Sequence, residues 1–391
     1  MAQSDSQLDA LDRATLTPLV RRALKREAAD LLAWRWSPLA YDVYLPGRTL
    51  VRFSGTATVD GAVMPWSIVL KRTCPPQGFD KASDEGWKRE ALAYRSGLLA
   101  DIPGRLSAPR ALAVSEDADG TIWLWLEDVV DRFGGAWPLA QYGRAARHLG
   151  QFNGAYLGDR PLPTFPWLAP HWADHQGEPA QIPKALSEID ALTSDDHVRR
   201  AFPIPIIDLA SRLLHDQPTF TGILARLPQT LCHHDASQAN LLARRCADGR
   251  METIAVDWES IGYGTVGAEI ATLVFGTMRR GMFPAERAAD LDRDVFAGYL
   301  RGLRDAGWQG DPDLVRLGYT AAVALRWSLL GWTLRALASD AARSRIARTL
   351  KEPEERAIAR FILLSLFLLN RAEEARQLAR RWSNDMLSTN R

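Results

Sequence analysis

Between Thr49 and Arg72 the residues alternate in character at every second position, reading TLVRFSGTATV, then Asp60-Gly61, then WSIVLKR after Val63–Pro65. A two-residue period puts successive side chains on opposite faces of an extended chain, and Asp-Gly is a strong hairpin signal. The first third is therefore committed to sheet, with Val63–Pro65 read as a turn ahead of the strand Trp66–Arg72. A second hairpin is expected from Pro109–Ser115 and Thr121–Leu126, joined by the acidic turn EDADG. Beyond residue 135 the period changes. Trp137–Tyr156 brings Leu139, Tyr142, Ala146, Leu149, Phe152 and Tyr156 to one face of a helix. The C-terminal third reads as nearly all helix, with stops at Gly307–Gly310 and Pro353. Helices are also expected over 7–33, where Leu16, Leu19, Val20, Ala23, Ala28 and Leu31 share a face, and over Asp84–Leu99, before Pro103–Gly104. Residues 158–184, rich in Pro, Trp and His, read as a long surface excursion. The layout is a β-rich first third, a connector near residue 130 and a helical remainder with one small β island.

The chain has 391 residues, which at roughly 150 per domain predicts two to three lobes. A composition 47% hydrophobic and 24% charged supports a packed core and excludes disorder for most of the length. Lysine plus arginine number 48 against 47 acids, a net of +1 that offers no basic stripe for nucleic acid. Three cysteines (Cys74, Cys232, Cys246) are too few for a disulfide framework and point to a reducing compartment. The start MAQSDSQLDALDR lacks the basic-then-apolar order of a secretory signal. Phe361–Leu369 and the stretch Ala321–Trp332, which Arg326 interrupts, fall short of the ~20 apolar residues a membrane helix needs. The expectation is a soluble, cytoplasmic protein with no membrane or nucleic-acid partner. Only six of the 48 basic residues are lysine, so a lysine in an unusual setting, such as Lys71 at the end of an apolar strand, is a candidate for its compact point charge.

Polar residues concentrate in the β island. LCHHDASQANLL over 231–242 contains His233-x-Asp235-x4-Asn240, and Asp257 ends the short apolar strand Ile254-Ala255-Val256, seventeen residues beyond Asn240. Asn and Asp supply the oxygen ligands that Mg²⁺ prefers, usually one or two carboxylates beside substrate phosphates. One aspartate near a nucleophile and a carboxylate–amide pair for metal is the arrangement phosphoryl transfer uses.

This string resembles the HxDxxxxN catalytic loop and following metal aspartate of the aminoglycoside phosphotransferase and choline kinase-like family, small-molecule relatives of the protein kinases. WSIVLKR with Lys71, WKREALAYRSGLL with Glu90, IWLWLEDV, AARHLGQFNGAY and IAVDWESIGYGTVGAEIATL resemble further family segments in order, so the likeness covers roughly residues 45–275. The resemblance implies an α+β, two-lobed protein-kinase-like fold. Residues 1–126 would form a β-rich N-terminal nucleotide-binding lobe with a leading helix, 127–135 a hinge, and 136–391 a mainly helical catalytic and substrate lobe. It implies an ATP- or GTP-dependent phosphotransferase acting on a hydroxyl of a small molecule such as an aminoglycoside or other antibiotic, a sugar or an amino alcohol. Antibiotic resistance would be one setting. Asp235 would orient the acceptor hydroxyl and take its proton, and His233 would brace the loop. Asn240 and Asp257 would hold Mg²⁺. Lys71, oriented by Glu90, would contact the α and β phosphates, and the backbone of Glu127, Asp128 and Val129 would meet the purine. Two departures stand out: His234 occupies a position often small or aliphatic in the family, and the nucleotide-covering loop, placed at Leu45–Arg48, has a single glycine.

Plainer readings exist for each residue. A strand-end lysine usually extends to solvent, and Glu90 could be a surface acid; it is the pair, nineteen residues apart, that argues for a role. Asp235 and Asn240 could be turn formers. Zinc at Cys232, His233, His234 and Cys246 is disfavoured, because neighbours in an extended segment point opposite ways and no C-x2-C spacing is present. Of the fourteen tryptophans, Trp34, Trp36, Trp123 and Trp125 read as core, and Trp137, Trp167, Trp172, Trp327 and Trp332 as candidates for a substrate wall. A catalytically silent nucleotide-binding module, with regulation as its role, is the rival reading; a metal-dependent hydrolase is a third.

Overall fold

A computed structural model of the chain describes residues 2–39, 47–76, 85–169, 182–192 and 194–389. It divides into two compact units, the first comprising Met1–Ile102, Ser107–Asp131 and Ile254–Glu259, the second Pro103–Leu106, Arg132–Thr253 and Ser260–Arg391.

The first unit is built on an antiparallel five-stranded sheet in the order β1-β2-β3-β6-β5. Its strands are β1 (Asp30–Pro38), β2 (Arg48–Val59), β3 (Ala62–Thr73), β5 (Ala111–Glu116) and β6 (Ile122–Glu127), with the two-residue β4 (Leu106–Ser107) preceding β5. Helices α1 (Ala2–Asp9) and α2 (Arg13–Leu24) come first, and α3 (Arg89–Arg95) lies between β3 and β4. The period-two pattern sets the faces. Val51, Phe53, Trp66, Ile68 and Leu70 pack with Leu8, Leu16, Leu19 and Val20 of the two N-terminal helices, and Trp123 and Trp125 join that core.

Three expectations are corrected here. The helix over 7–33 is two helices followed by a strand. Asp12 caps α2 by accepting from Thr15 N–H, Lys25 closes it at φ 55°, and Leu31 is buried in β1 opposite Ala57. Leu31 fits the helical spacing, but the bulky alternation around Trp34 and Trp36 pairs better with β2. Val63–Pro65 is no turn: β3 runs through it, with Pro65 opposite Thr56, and Asp60-Gly61 makes the reversal. The expected helix to Leu99 is broken at Gly97, φ 77°. Asp84, Trp172 and half of the proposed nucleotide loop, Leu45 and Pro46, lie outside the described residues.

The second unit is mainly helical: α4 (Leu139–Leu157), α5 (Ile182–Leu192), α6 (Asp196–Ala201), α7 (Ile204–His215), α8 (Gln217–Arg226), α9 (Ala268–Ala271), α10 (Thr277–Arg279), α11 (Ala288–Asp305), α12 (Pro312–Ala324), α13 (Ser328–Ala338), α14 (Asp340–Leu350) and α15 (Glu354–Thr389). The β island comprises β7 (Gln229–Cys232), β8 (Leu241–Arg245), β9 (Met251–Ala255) and β10 (Gly262–Thr265). β7 pairs with β10, and β8 with β9. Helices α4 and α11 touch through their backbones. A Cβ built on Gly298 would lie 2.1 Å from Gly143 O, and one on Gly302 would lie 2.0 Å from Arg147 O. That close approach lets Tyr299 of α11 donate to Asn153 Oδ1 of α4 at 2.7 Å. Among the described residues no helix is long and apolar enough to cross a membrane.

Candidate active site

In β3 the alternation that turns Leu70 into the core turns Lys71 to the opposite face. There its ammonium meets Glu90 of α3 at 2.5 Å and the Asp257 carboxylate. The second Glu90 oxygen accepts from Trp258 N–H at 3.1 Å. The indole of fully buried Trp258 donates to Ala255 O at 2.7 Å, anchoring the segment after β9. Asp257 stands at φ 64°, a left-handed conformation uncommon outside glycine and enriched in Asp and Asn. Glu259 pairs with Arg48, and its carbonyl accepts from Arg89 at 2.7 Å. Burial by itself would depress Lys71; the carboxylates of Glu90, Asp257 and Glu259 outweigh it and hold the ammonium well above its ordinary range. Burial and the negative charge of Asp257 push Glu259 up. The carboxylates offer hard oxygens, the donor type Mg²⁺ takes; among the described residues no group of three or more acids, histidines or cysteines gathers as a metal site.

At the end of β6, Glu127 sits opposite Ile68, and its N–H donates to Arg110 O at 2.9 Å. Asp128 is held bidentately by Arg52, at 2.7 and 3.0 Å. Val129 is half-buried beside exposed Val130.

In the second unit, β7 delivers the 233–240 loop. Both its first N–H groups end on one buried carboxylate: His233 N to Glu269 Oε2 at 2.7 Å and His234 N to Glu269 Oε1 at 3.0 Å. Burial raises Glu269, and the N–H bonds from His233 and His234 oppose it. His234 takes φ 68°, its ring Nε2 3.0 Å from Tyr263 O. A carbonyl only accepts, so that nitrogen is the donor. The larger side chain at this departure from the family pattern is thus tied into β10. Asp235 N–H donates to His233 Nδ1 at 3.2 Å, which places the His233 proton on Nε2. Asn240 Nδ2 donates to Asp235 Oδ2 at 2.7 Å and to Asp235 O at 2.9 Å. With its NH₂ so engaged, the Asn240 amide has its oxygen to offer a cation. Asn153 donates to Leu231 O at 2.7 Å, and Gln238 donates to Gly135 O at 2.5 Å while accepting from Tyr142.

Lys71, Glu90 and Asp257 are thus brought together in the first unit, and His233, Asp235 and Asn240 in the second. Sequence reasoning missed Glu269, Asn153 and Gln238. The signal for Glu269 was available, as a lone acid in the apolar run AEIATLVF.

A family model described as "Phosphotransferase enzyme family" matches residues 72–310, more than half of the chain. The chain belongs to this family. The matched span takes in Glu90, the 233–240 loop, Asp257 and Glu269, so both clusters fall largely inside it. The protein is accordingly a small-molecule kinase. Its fold is similar to that of an aminoglycoside phosphotransferase from Alicyclobacillus acidocaldarius, at 13% identity, TM-score 0.52, and coverage of 90% of this chain and 93% of the other. An amicoumacin kinase solved with AMP-PNP and Ca²⁺ matches at 14% identity and TM-score 0.48, covering 83% and 90% of the two chains. Choline kinase from Cryptosporidium parvum Iowa II matches at 13% and 0.45, covering 89% and 90%. No curated protein matches.

Proposed function

We propose that this kinase transfers the γ-phosphoryl group of ATP or GTP to a hydroxyl of a small molecule, with Asp235 facing that hydroxyl. The observation carrying the reading is the state of the Asp235 carboxylate. Asn240 fixes Oδ2, and among the described residues Oδ1 is left to accept an acceptor's O–H. A base so positioned contributes roughly 10²–10⁴ in rate. His233 and Glu269 hold the loop still, so the carboxylate loses no orientation when the acceptor arrives. Lys71, kept charged by its carboxylates and oriented by Glu90, supplies a fixed positive charge for the α and β phosphates, and electrostatic positioning of this kind dominates phosphoryl transfer. Asn240 and Asp257 would each offer an oxygen to Mg²⁺, which when bound would supply positive charge to the phosphates. The purine would be read by backbone groups of Glu127–Val129 other than the Glu127 N–H, which Arg110 already takes. The setting is cytoplasmic, where both nucleotides are plentiful.

The test is nucleotide consumption with ATP and with GTP across aminoglycosides, macrolides, sugars and amino alcohols. Mass detection of one added HPO₃ identifies the product. Turnover should vanish in Asp235→Asn. Full turnover in that variant, or phosphate release from an ester without nucleotide, would refute the assignment.

A further inference from the structure

Lys71 is not the only cation on its face of the first unit's sheet. The strand register puts Leu50, Lys71 and Leu124 in one row, and Arg52, Val69 and Leu126 in the next. Directly paired residues of antiparallel strands share a face, as do residues two apart along one strand. All six therefore lie on the side away from the core of Val51, Phe53, Ile68 and Leu70. In the first row, Lys71 and Leu124 line one cavity with Glu90 and Ala91 of α3. The second row borders the strand end from which Glu127–Val129 leave. There Leu126 is buried, Val69 is half-buried, and the Arg52 side chain keeps 39% of its surface exposed, enough to meet a ligand.

Arg52 is fixed in place. Its Nε and Nη2 donate to the two oxygens of Asp128 at 2.7 and 3.0 Å, and that carboxylate is almost buried. An ion pair so placed adds little to folding, because desolvating the carboxylate offsets most of the attraction. What it does provide is a guanidinium held in one orientation. The clamp engages the Nε–Nη2 edge, in the plane of the group, and leaves the flat face for a ring.

We propose that Arg52 contacts the nucleobase, its guanidinium stacking on the purine of the donor nucleotide, with Asp128 as the positioning residue that holds it there. Asp128 belongs to the segment whose backbone is assigned above to the purine. A base bonded at its edge to that segment lies with one face against Arg52, Val69 and Leu126. Neighbouring strands stand roughly 4.8 Å apart, so the row is about 10 Å across, broad enough for a two-ring base. Guanidinium planes stack on aromatic faces, and the cation is drawn to the π cloud of either purine. Such a contact reads the ring face and not the substituent at position 6, so it serves adenine and guanine alike. Lys71, one row away, is left to the phosphates.

The assignment rests on the transfer reading above, and the experiment separates the two. Binding of MgATP, MgGTP and magnesium tripolyphosphate to the intact chain is measured by calorimetry. Wild type is compared with Arg52→Leu, Arg52→Lys and the double variant Arg52→Leu/Asp128→Asn. Affinity for both nucleotides should fall about three- to thirtyfold in Arg52→Leu, by the same factor for each, with tripolyphosphate unchanged. Arg52→Lys keeps the charge and loses the plane, and should fall nearly as far. The double variant removes the carboxylate that Arg52→Leu leaves unpaired, and so keeps the test valid where Arg52→Leu folds poorly. Unchanged nucleotide affinity in the folded variants would overturn the contact. So would an equal loss for tripolyphosphate, which marks a charge acting on phosphates, or full affinity in Arg52→Lys, which marks a charge without stacking. Phosphoryl transfer to the acceptor panel above is followed in parallel. Arg52-dependent nucleotide binding with no transfer to any acceptor rejects the transfer reading and keeps the contact. Transfer with an unchanged nucleotide KM in Arg52→Leu and Arg52→Lys keeps the transfer reading and rejects the contact. A wild-type chain that binds neither nucleotide overturns both.

Discussion

His148 gives a pH dependence whose size follows from the structure. It lies on α4, 3% exposed, with ring Nδ1 2.8 Å from Thr253 Oγ1 on β9, the strand whose continuation carries Asp257. Burial, then repulsion from Arg105, Arg144 and Arg147, lowers it to about 4, and Asp305 opposes only in part. An unfolded histidine titrates near 6.5. Above that value both states hold a neutral ring and the term vanishes. As pH falls below 6.5 the unfolded chain takes up a proton that the folded chain refuses, so stability falls. The loss saturates below about 4, once the folded ring is protonated too. At about 1.4 kcal/mol per pH unit of separation, the full window is worth about 3 kcal/mol, a large share of a typical folding free energy of roughly 5–15 kcal/mol. Urea unfolding at intervals from pH 7.5 to 4.5, wild type against His148→Gln, measures it. The variant should be less stable at pH 7.5, having lost packing, but should have a shallower decline toward acid. Parallel curves would show that the buried imidazole is not the proton acceptor responsible, and the argument from burial would fail.

Lys71→Met should lower kcat by roughly 10²–10³, the cost of one preorganised electrostatic group; unchanged steady-state turnover would make Lys71 a bystander. Asp257→Ala should abolish Mg²⁺-dependent nucleotide binding in calorimetry while leaving the circular dichroism spectrum intact, and normal MgATP affinity would contradict its role. Glu269→Gln should cost roughly 1.5–3 kcal/mol in denaturant unfolding, because one of two charge-assisted N–H bonds is lost, and should reduce kcat as the loop loosens; stability equal to wild type would show the brace to be dispensable. Gly298→Ala forces a Cβ against a backbone oxygen 2.1 Å away and should destabilise by ~1–3 kcal/mol, despite the better helix propensity of alanine; a rise in melting temperature would refute the tight helix contact.

What could be read in advance divides along physical lines. The hairpin of β2 and β3 was legible because a two-residue period repeated along one strand cannot be satisfied by a helix. Residues 7–33 were not, because Leu31 meets a helical spacing by coincidence and only its partner strand reveals the difference. Pro65 reads as a breaker, yet it pairs with Thr56 inside a regular strand. The arginine interrupting Ala321–Trp332 and the acid in AEIATLVF are charges set in apolar runs, visible as anomalies. Their meaning lies in contacts that no periodicity announces: the acid accepts from the His233 and His234 N–H groups, and the arginine donates to Thr272.

The same division holds inside the site, and chain separation explains it. Asn240 reaches Asp235 over five positions, and Asp235 reaches His233 over two. Such contacts close short loops, and short loops leave a spacing motif in the sequence. Lys71 meets Asp257 over 186 positions, and Glu90 meets Trp258 over 168, distances at which no spacing carries information. Only likeness to a family could propose that pairing. Closing a loop that long costs conformational entropy before any contact returns it. What makes the closure worthwhile is mutual support: Lys71 would be an isolated buried cation without Glu90 and Asp257, and the two carboxylates would lose their shared cation without Lys71. Glu90 alone still pairs with Lys71, but the chain must return from the second unit as Ile254–Glu259 before the ammonium is fully paired.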